Sequence, residues 1–213
     1  MIKLTGIVLI LSFLSTSFFA KTYLYKRAEK GETFYQEVTI EEQENGLIMF
    51  VVITDSQTNK MICNENYETL SFEIDEPGTN TYAERIGNKI IVKKTINGKL
   101  KEKTMNIDED PWIQMFLYPL MHFISSDKSE IDFFLMNPND IMLFKFNAKK
   151  DKEETIELCG SKQKCIKLKL TIKGVPDAFY KNYYYYRKDD GLFVYHKSEN
   201  NGKEILYEYI EEE

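Results

Sequence analysis

Apolar and polar positions alternate along most of this chain. Leu70, Phe72 and Ile74 fall on one side of a two-residue rhythm, with Thr69, Ser71, Glu73 and Asp75 on the other. Ile166, Leu168, Leu170 and Ile172 oppose Lys167, Lys169, Thr171 and Lys173, and Phe34, Val38 and Ile40 oppose Tyr35, Glu37, Thr39 and Glu41. Successive side chains on a strand point to opposite faces, so this rhythm predicts strands with one buried and one wet face. Further strands are expected over residues 81–86, 89–96, 99–107, 141–149, 183–188, 192–197 and 204–210. The run 47–53 is apolar on both faces and is expected to sit centrally, covered twice. Asn45-Gly46, Gly87-Asn88, Asn97-Gly98, Asp190-Gly191 and Asn201-Gly202 each separate strand-like runs. Such pairs tolerate the positive backbone angles of tight hairpins, which predicts an antiparallel, hairpin-connected sheet.

One segment breaks the rhythm. From Asp110 to Ser125 the chain is apolar almost all round. Asp110 is placed to cap a helix, with Pro111 in its first turn. Pro119 lacks a backbone donor and should kink or split that helix. Gln114, Tyr118 and His122 fall four apart and would form an approximate polar stripe on it. A helix of roughly fourteen residues is about 20 Å long and cannot cover about ten strands laid flat. The sheet must therefore curl. The predicted fold is mainly β: a strongly curved antiparallel sheet, a half-open barrel, with a short, kinked apolar helix on its concave side. A two-sheet sandwich is the alternative, and it leaves the apolar helix without a seat.

The first twenty residues add a destination. Lys3, an apolar run from Leu4 to Leu14, and small residues at Ser15, Ser17 and Ala20 follow the pattern of a secretory signal peptide. The expected organisation is a leader over 1–20 and a single domain over 21–213. Cleavage fits after Ser17 or after Ala20. An uncleaved leader is the alternative and would hold the protein at a membrane; otherwise membrane contact would be transient. No cysteine near the cut offers a lipid attachment point. The exported product is expected to be soluble, in a periplasm or outside the cell. The formal net charge is -6, and losing Lys3 makes it one unit more negative. An acidic balance argues against nucleic-acid binding, which uses clustered Lys and Arg. Lys93, Lys94, Lys99, Lys101 and Lys103 sit within alternating runs and are read as a solvated sheet face.

Chemistry-bearing residues are sparse. Cys159 and Cys165 flank a short loop between strand-like runs and are expected to face each other across a hairpin. In an oxidising compartment that predicts a disulfide, stabilising by roughly 2 kcal/mol. Cys63 is then left over as a buried, inert thiol. The two histidines, His122 and His196, lack partners at metal-ligand spacing. His122 is expected in the core of the helix, and His196 exposed or half-buried on a strand. Asp189 and Asp190 read as turn residues. Tyr183 to Tyr186 put two rings on each face of a strand, where packing is the plain reading and an aromatic ligand wall the sharper one. Neither a catalytic constellation nor a metal or cofactor motif is present.

The Tyr-rich hairpin over 183–195, with its Asp-rich turn and returning strand, resembles one found late in the lipoprotein-localisation-factor superfamily. Those exported proteins curve a single antiparallel sheet around helices and accept acyl chains on the concave face. The resemblance implies the same fold and an acyl-accepting concave face; the mismatch between a wide apolar sheet face and one small helix leads to the reading of a non-catalytic envelope protein that holds a lipid or acyl chain in the sheet's concavity. Trp112, Met115, Phe116, Leu120, Met121 and Phe123 would line that site, with Gln114, Tyr118 and His122 as polar anchors. The alternative is an envelope structural or interaction module with a filled core and no ligand. A hydrolase assembled from scattered residues is a third reading that no motif selects.

Overall fold

The alternating runs become strands in the computed structural model, which describes residues 17–29, 31–158, 160–200 and 203–212. They are β1 (Ser17–Glu29), β2 (Glu32–Gln43), β3 (Ile48–Ile53), β4 (Thr58–Cys63), β5 (Thr69–Glu76), β6 (Thr79–Ile86), β7 (Lys89–Ile96) and β8 (Lys99–Asn106). After a short helix, α1 (Leu120–Ser125), follow β9 (Glu130–Asn137), β10 (Met142–Leu158), β11 (Ser161–Ile172), β12 (Lys181–Arg187), β13 (Phe193–Asn200) and β14 (Lys203–Glu212). All fourteen strands form one antiparallel sheet in the order β8-β7-β6-β5-β4-β3-β2-β1-β14-β13-β12-β11-β10-β9. The first and last strands meet in its middle, and β8 and β9 are its edges. The leader expected over 1–20 lies outside the described residues up to residue 16. Ser17 to Ala20 begin β1 and pair with Gln43 to Glu41 of β2.

The core follows from cross-strand register. Ile40, Phe50, Met61, Phe72, Ala83 and Val92 are direct partners in succession across β2 to β7, and all six are buried. One face of each strand thus adds to a continuous apolar wall. The outer face of β3 is not covered as expected: Met49 and Val51 are half-buried and Ile53 is 45% exposed. A bulge opposite Ile62 and Cys63 inserts Leu70 as an extra residue. Leu70 is therefore half-buried rather than core, and Thr69 turns inward in its place.

The fourteen-residue helix does not form. Residues 111–119 run as an irregular plug, and α1 is only six residues long. Two features stop the longer helix. Met115 has φ 49, a left-handed conformation incompatible with helix continuation, and Pro119 stands at the start of α1 rather than inside a helix. Backbone groups of the plug are already engaged elsewhere. Phe134 N–H donates to Pro111 O at 2.8 Å, Ile113 N–H to Phe134 O at 2.9 Å and Thr69 N–H to Trp112 O at 2.8 Å. The plug thus lies beside edge strand β9 and fastens it to β5. Asp110 does not cap a helix; its carboxylate pairs with Lys145.

Two lysines read from sequence as a solvated face also hold the sheet curled. Lys94 Nζ donates to Pro138 O at 2.9 Å and Asn139 O at 3.3 Å, and Lys103 Nζ donates to Ile141 O at 2.7 Å. These bonds join β7 and β8 to the β9–β10 turn, although the strands themselves do not close into a barrel. At the opposite end the β12–β13 turn packs on α1. A Cβ at Gly191, where φ is 73, would lie 2.7 Å from Met121 O.

The expected hairpin disulfide is not seen among the described residues. Cys159 lies outside the described residues. Leu158 pairs with Ser161, and Cys165 stands four residues further along β11, opposite Glu154. Cys165 is a free, buried thiol, as is Cys63. The Asp189–Asp190 turn is as expected: Leu192 N–H donates to Asp190 Oδ1 at 3.1 Å.

Candidate functional site

A second row of cross-strand partners runs over the other half of the concave face. Arg27 on β1 pairs with Tyr207 on β14, Tyr207 with His196 on β13, His196 with Tyr184 on β12, and Tyr184 with Leu168 on β11. Here polar and aromatic side chains replace the aliphatic ones of β2 to β7, so the wall does not pack shut. Above this row lies an open groove of about 730 Å³. Its floor is Arg27, Tyr207, His196 and Tyr184, one wall is Phe116 and Leu117 of the plug, and its rim is the β11–β12 loop from Asp177 to Lys181.

Ring packing fixes the floor. The His196 imidazole stacks on Tyr184 with centroids 4.1 Å apart and planes at 14°. Phe116 meets Tyr184 edge-on at 5.2 Å. The Arg27 guanidinium lies over the Tyr207 ring at 5.4 Å and pairs with Glu29. His196 Nδ1 is 2.7 Å from Tyr183 O. A carbonyl only accepts, so Nδ1 carries the proton and Nε2 presents a lone pair. Burial pushes the imidazole pKa below its usual value, and the Tyr183 hydrogen bond opposes this only in part. The rim loop is tied to the outer sheet face by Lys169 and Asp177 at 2.5 Å, and Phe179 beside them is 81% exposed.

The structure scatters the residues expected to line the site. Only Phe116 reaches this groove. Trp112 and Leu120 are fully buried in the core. Met115 and Met121 are half-buried against that core. Phe123 and His122 line a separate groove of about 440 Å³ between the plug, the β4–β5 loop and β9. The expected polar stripe is absent because the helix carrying it is absent. Gln114 is buried, taking the Trp112 indole N–H at 3.1 Å and donating to Met136 O at 2.9 Å. Tyr118 is buried and accepts from Gln36; burial and the nearby Tyr207 hold its phenol far above the usual range. His122 is exposed, not core, and stacks on Tyr67 at 5.1 Å. His196, expected exposed or half-buried, is only 5% exposed.

Arg27, Tyr207 and His196 come together through strand order, Leu117 through the plug and Tyr180 through the β11–β12 loop. Alternation places Arg27 and Tyr207 on defined faces, but not beside one another. Among the described residues no three His, Cys, Asp or Glu side chains converge to hold a metal ion, and no helix is long and apolar enough to cross a membrane.

No protein-family model matches the chain, and no curated protein matches it. Solved structures do. The β-barrel-like protein of domain of unknown function DUF1849 from Brucella abortus superposes with a TM-score of 0.54 at 9% identity, over 91% of this chain and 97% of that chain. The two share a fold. The sheet and its curl are therefore a β-barrel-like architecture. The hypothetical lipoprotein YmcC from Escherichia coli superposes at 0.36 with 8% identity, over 91% of this chain and 87% of that chain. A DUF1329 family protein from Desulfovibrio piger does so at 0.29 with 9% identity, over 92% and 85%.

Proposed function

We propose that this is an exported, non-catalytic envelope protein that holds a lipid, acyl chain or similar apolar ligand in the concave groove. One observation carries the proposal: an open groove of about 730 Å³ floored by stacked rings and walled by Phe116 and Leu117. Its size falls within the usual range for small-ligand sites, roughly 300–1,000 Å³. Rings with apolar bodies and polar tips suit a ligand with an acyl part and a polar end. The leader-like residues 1–20 support export, and the half-open sheet around a plug supports the resemblance to the lipoprotein-localisation-factor superfamily.

Native mass spectrometry of protein purified without detergent tests the proposal. Expected is a mass adduct that solvent extraction releases as a lipid, and that Phe116→Asp diminishes. A protein that carries no adduct and takes up no added acyl compound would overturn it.

A further inference from the structure

The groove floor presents a buried donor without a partner, Arg27 Nε, and an acceptor that no described residue engages, His196 Nε2. His196 is 5% exposed, lines the groove, and spends Nδ1 on Tyr183 O. Its Nε2 receives no hydrogen bond from any described residue. Stacking on Tyr184 at 4.1 Å holds the ring in place, so Nε2 cannot swing to another donor. Of the charged groups nearby, Asp177 pairs with Lys169, and Arg27 pairs with Glu29 through Nη2 while its Nε is buried without a hydrogen-bond partner. Lys181 stands exposed at the mouth, in water.

We propose that His196 determines specificity in this groove, by accepting a hydrogen bond from a neutral, hydroxyl-bearing end of an acyl ligand, as in a monoacylglycerol. This rests on the groove being an acyl-ligand site. A ligand without a donor would leave Nε2 desolvated and unpaired, which costs more than an ordinary hydrogen bond returns. A carboxylate would face a lone pair. Meeting it would require a second proton on the imidazole, which burial against Tyr184 opposes.

Titration calorimetry at pH 7.5 with three probes of equal chain length tests this: 1-decanoylglycerol, methyl decanoate and decanoate. Wild-type protein should bind 1-decanoylglycerol roughly fivefold more tightly than methyl decanoate, the scale of one neutral hydrogen bond, with decanoate no tighter than the ester. His196→Gln keeps an acceptor and should keep most of the preference. His196→Phe keeps a ring on Tyr184 and should bind the glycerol and methyl esters equally. If wild-type protein binds both esters with equal affinity, or favours decanoate, the assignment of His196 is overturned while the groove reading stands. If no probe binds, both fall. Should His196→Phe not fold, the wild-type ratio and His196→Gln decide between these outcomes.

Discussion

The indole N–H of Trp112 donates to Gln114 Oε1 at 3.1 Å, two residues along a chain that forms no helix. The same amide donates to Met136 O at 2.9 Å and accepts from Met136 N–H at 3.1 Å. One buried side chain thus joins the plug's largest residue to edge strand β9. Gln114→Leu leaves an indole N–H and both polar groups of Met136 unpaired. Loss of about 3 kcal/mol or more is expected in urea unfolding. An unchanged midpoint would show that the plug does not depend on this amide.

Tyr186 presents the opposite case. Its ring is fully buried and edge-on to Phe193 at 5.6 Å, and its hydroxyl has no hydrogen-bond partner. Burial holds that phenol well above its usual pKa. Tyr186→Phe keeps the packing and removes the unpaired hydroxyl, so it should stabilise the fold by about 1 kcal/mol. Thermal unfolding of the two proteins side by side measures this, and a lower midpoint for the variant would contradict it.

The cysteines should behave as three thiols. Burial pushes the Cys63 thiol up to about 12 and the Cys165 thiol up to about 11. Neither should form appreciable thiolate at pH 8, and both should resist thiol reagents in the folded protein. Alkylation after denaturation without reductant should add three labels by intact mass. Only one label would restore the Cys159–Cys165 disulfide that spacing alone suggests.

Stability should depend on His196 at mildly acid pH. Its folded pKa lies below the unfolded value of about 6.5, so the unfolded chain binds the proton more readily. The neutral imidazole's contribution is fully present above about pH 6.5 and is lost as pH falls through that value toward the folded pKa. Unfolding free energies between pH 7.5 and 5 should decline for wild-type protein and less steeply for His196→Gln. Parallel curves would remove His196 as the cause. Asp132 and Asp190, which cationic partners hold below the usual carboxylate range despite burial, titrate beneath this window.

The sheet was legible in the sequence because alternation is a local signal. Phe72 and Ile74, or Leu168 and Leu170, show their buried face from spacing alone. Three strands hid from it. β4 carries polar Asn59 beside Met61 and Cys63 on its inner face, β9 is apolar on both, and β1 begins within residues that also read as a leader. The plug misread as a helix for a different reason: its apolar run is set by burial, while its backbone is set by Phe134 and Thr69, far away in sequence. Met115 gives no residue-type warning of its left-handed turn. The groove was the least legible part. Tyr207, His196 and Tyr184 lie on successive hairpin strands, but Arg27 joins them only because β1 meets β14, and nothing near any of them announces that pairing.

That meeting also orders events in time. Tyr25 aligns with Tyr209, and Arg27 with Tyr207, so the strand made first waits for the strand made last. The other strand pairs are hairpins between neighbours in sequence and can form early. Closing so long a loop is what slows sheet proteins. Two meanders, β1 to β8 and β9 to β14, can therefore assemble separately, and the groove comes into being only at the final seam. A chain emerging N-terminus first would have no complete groove until its last strand had arrived.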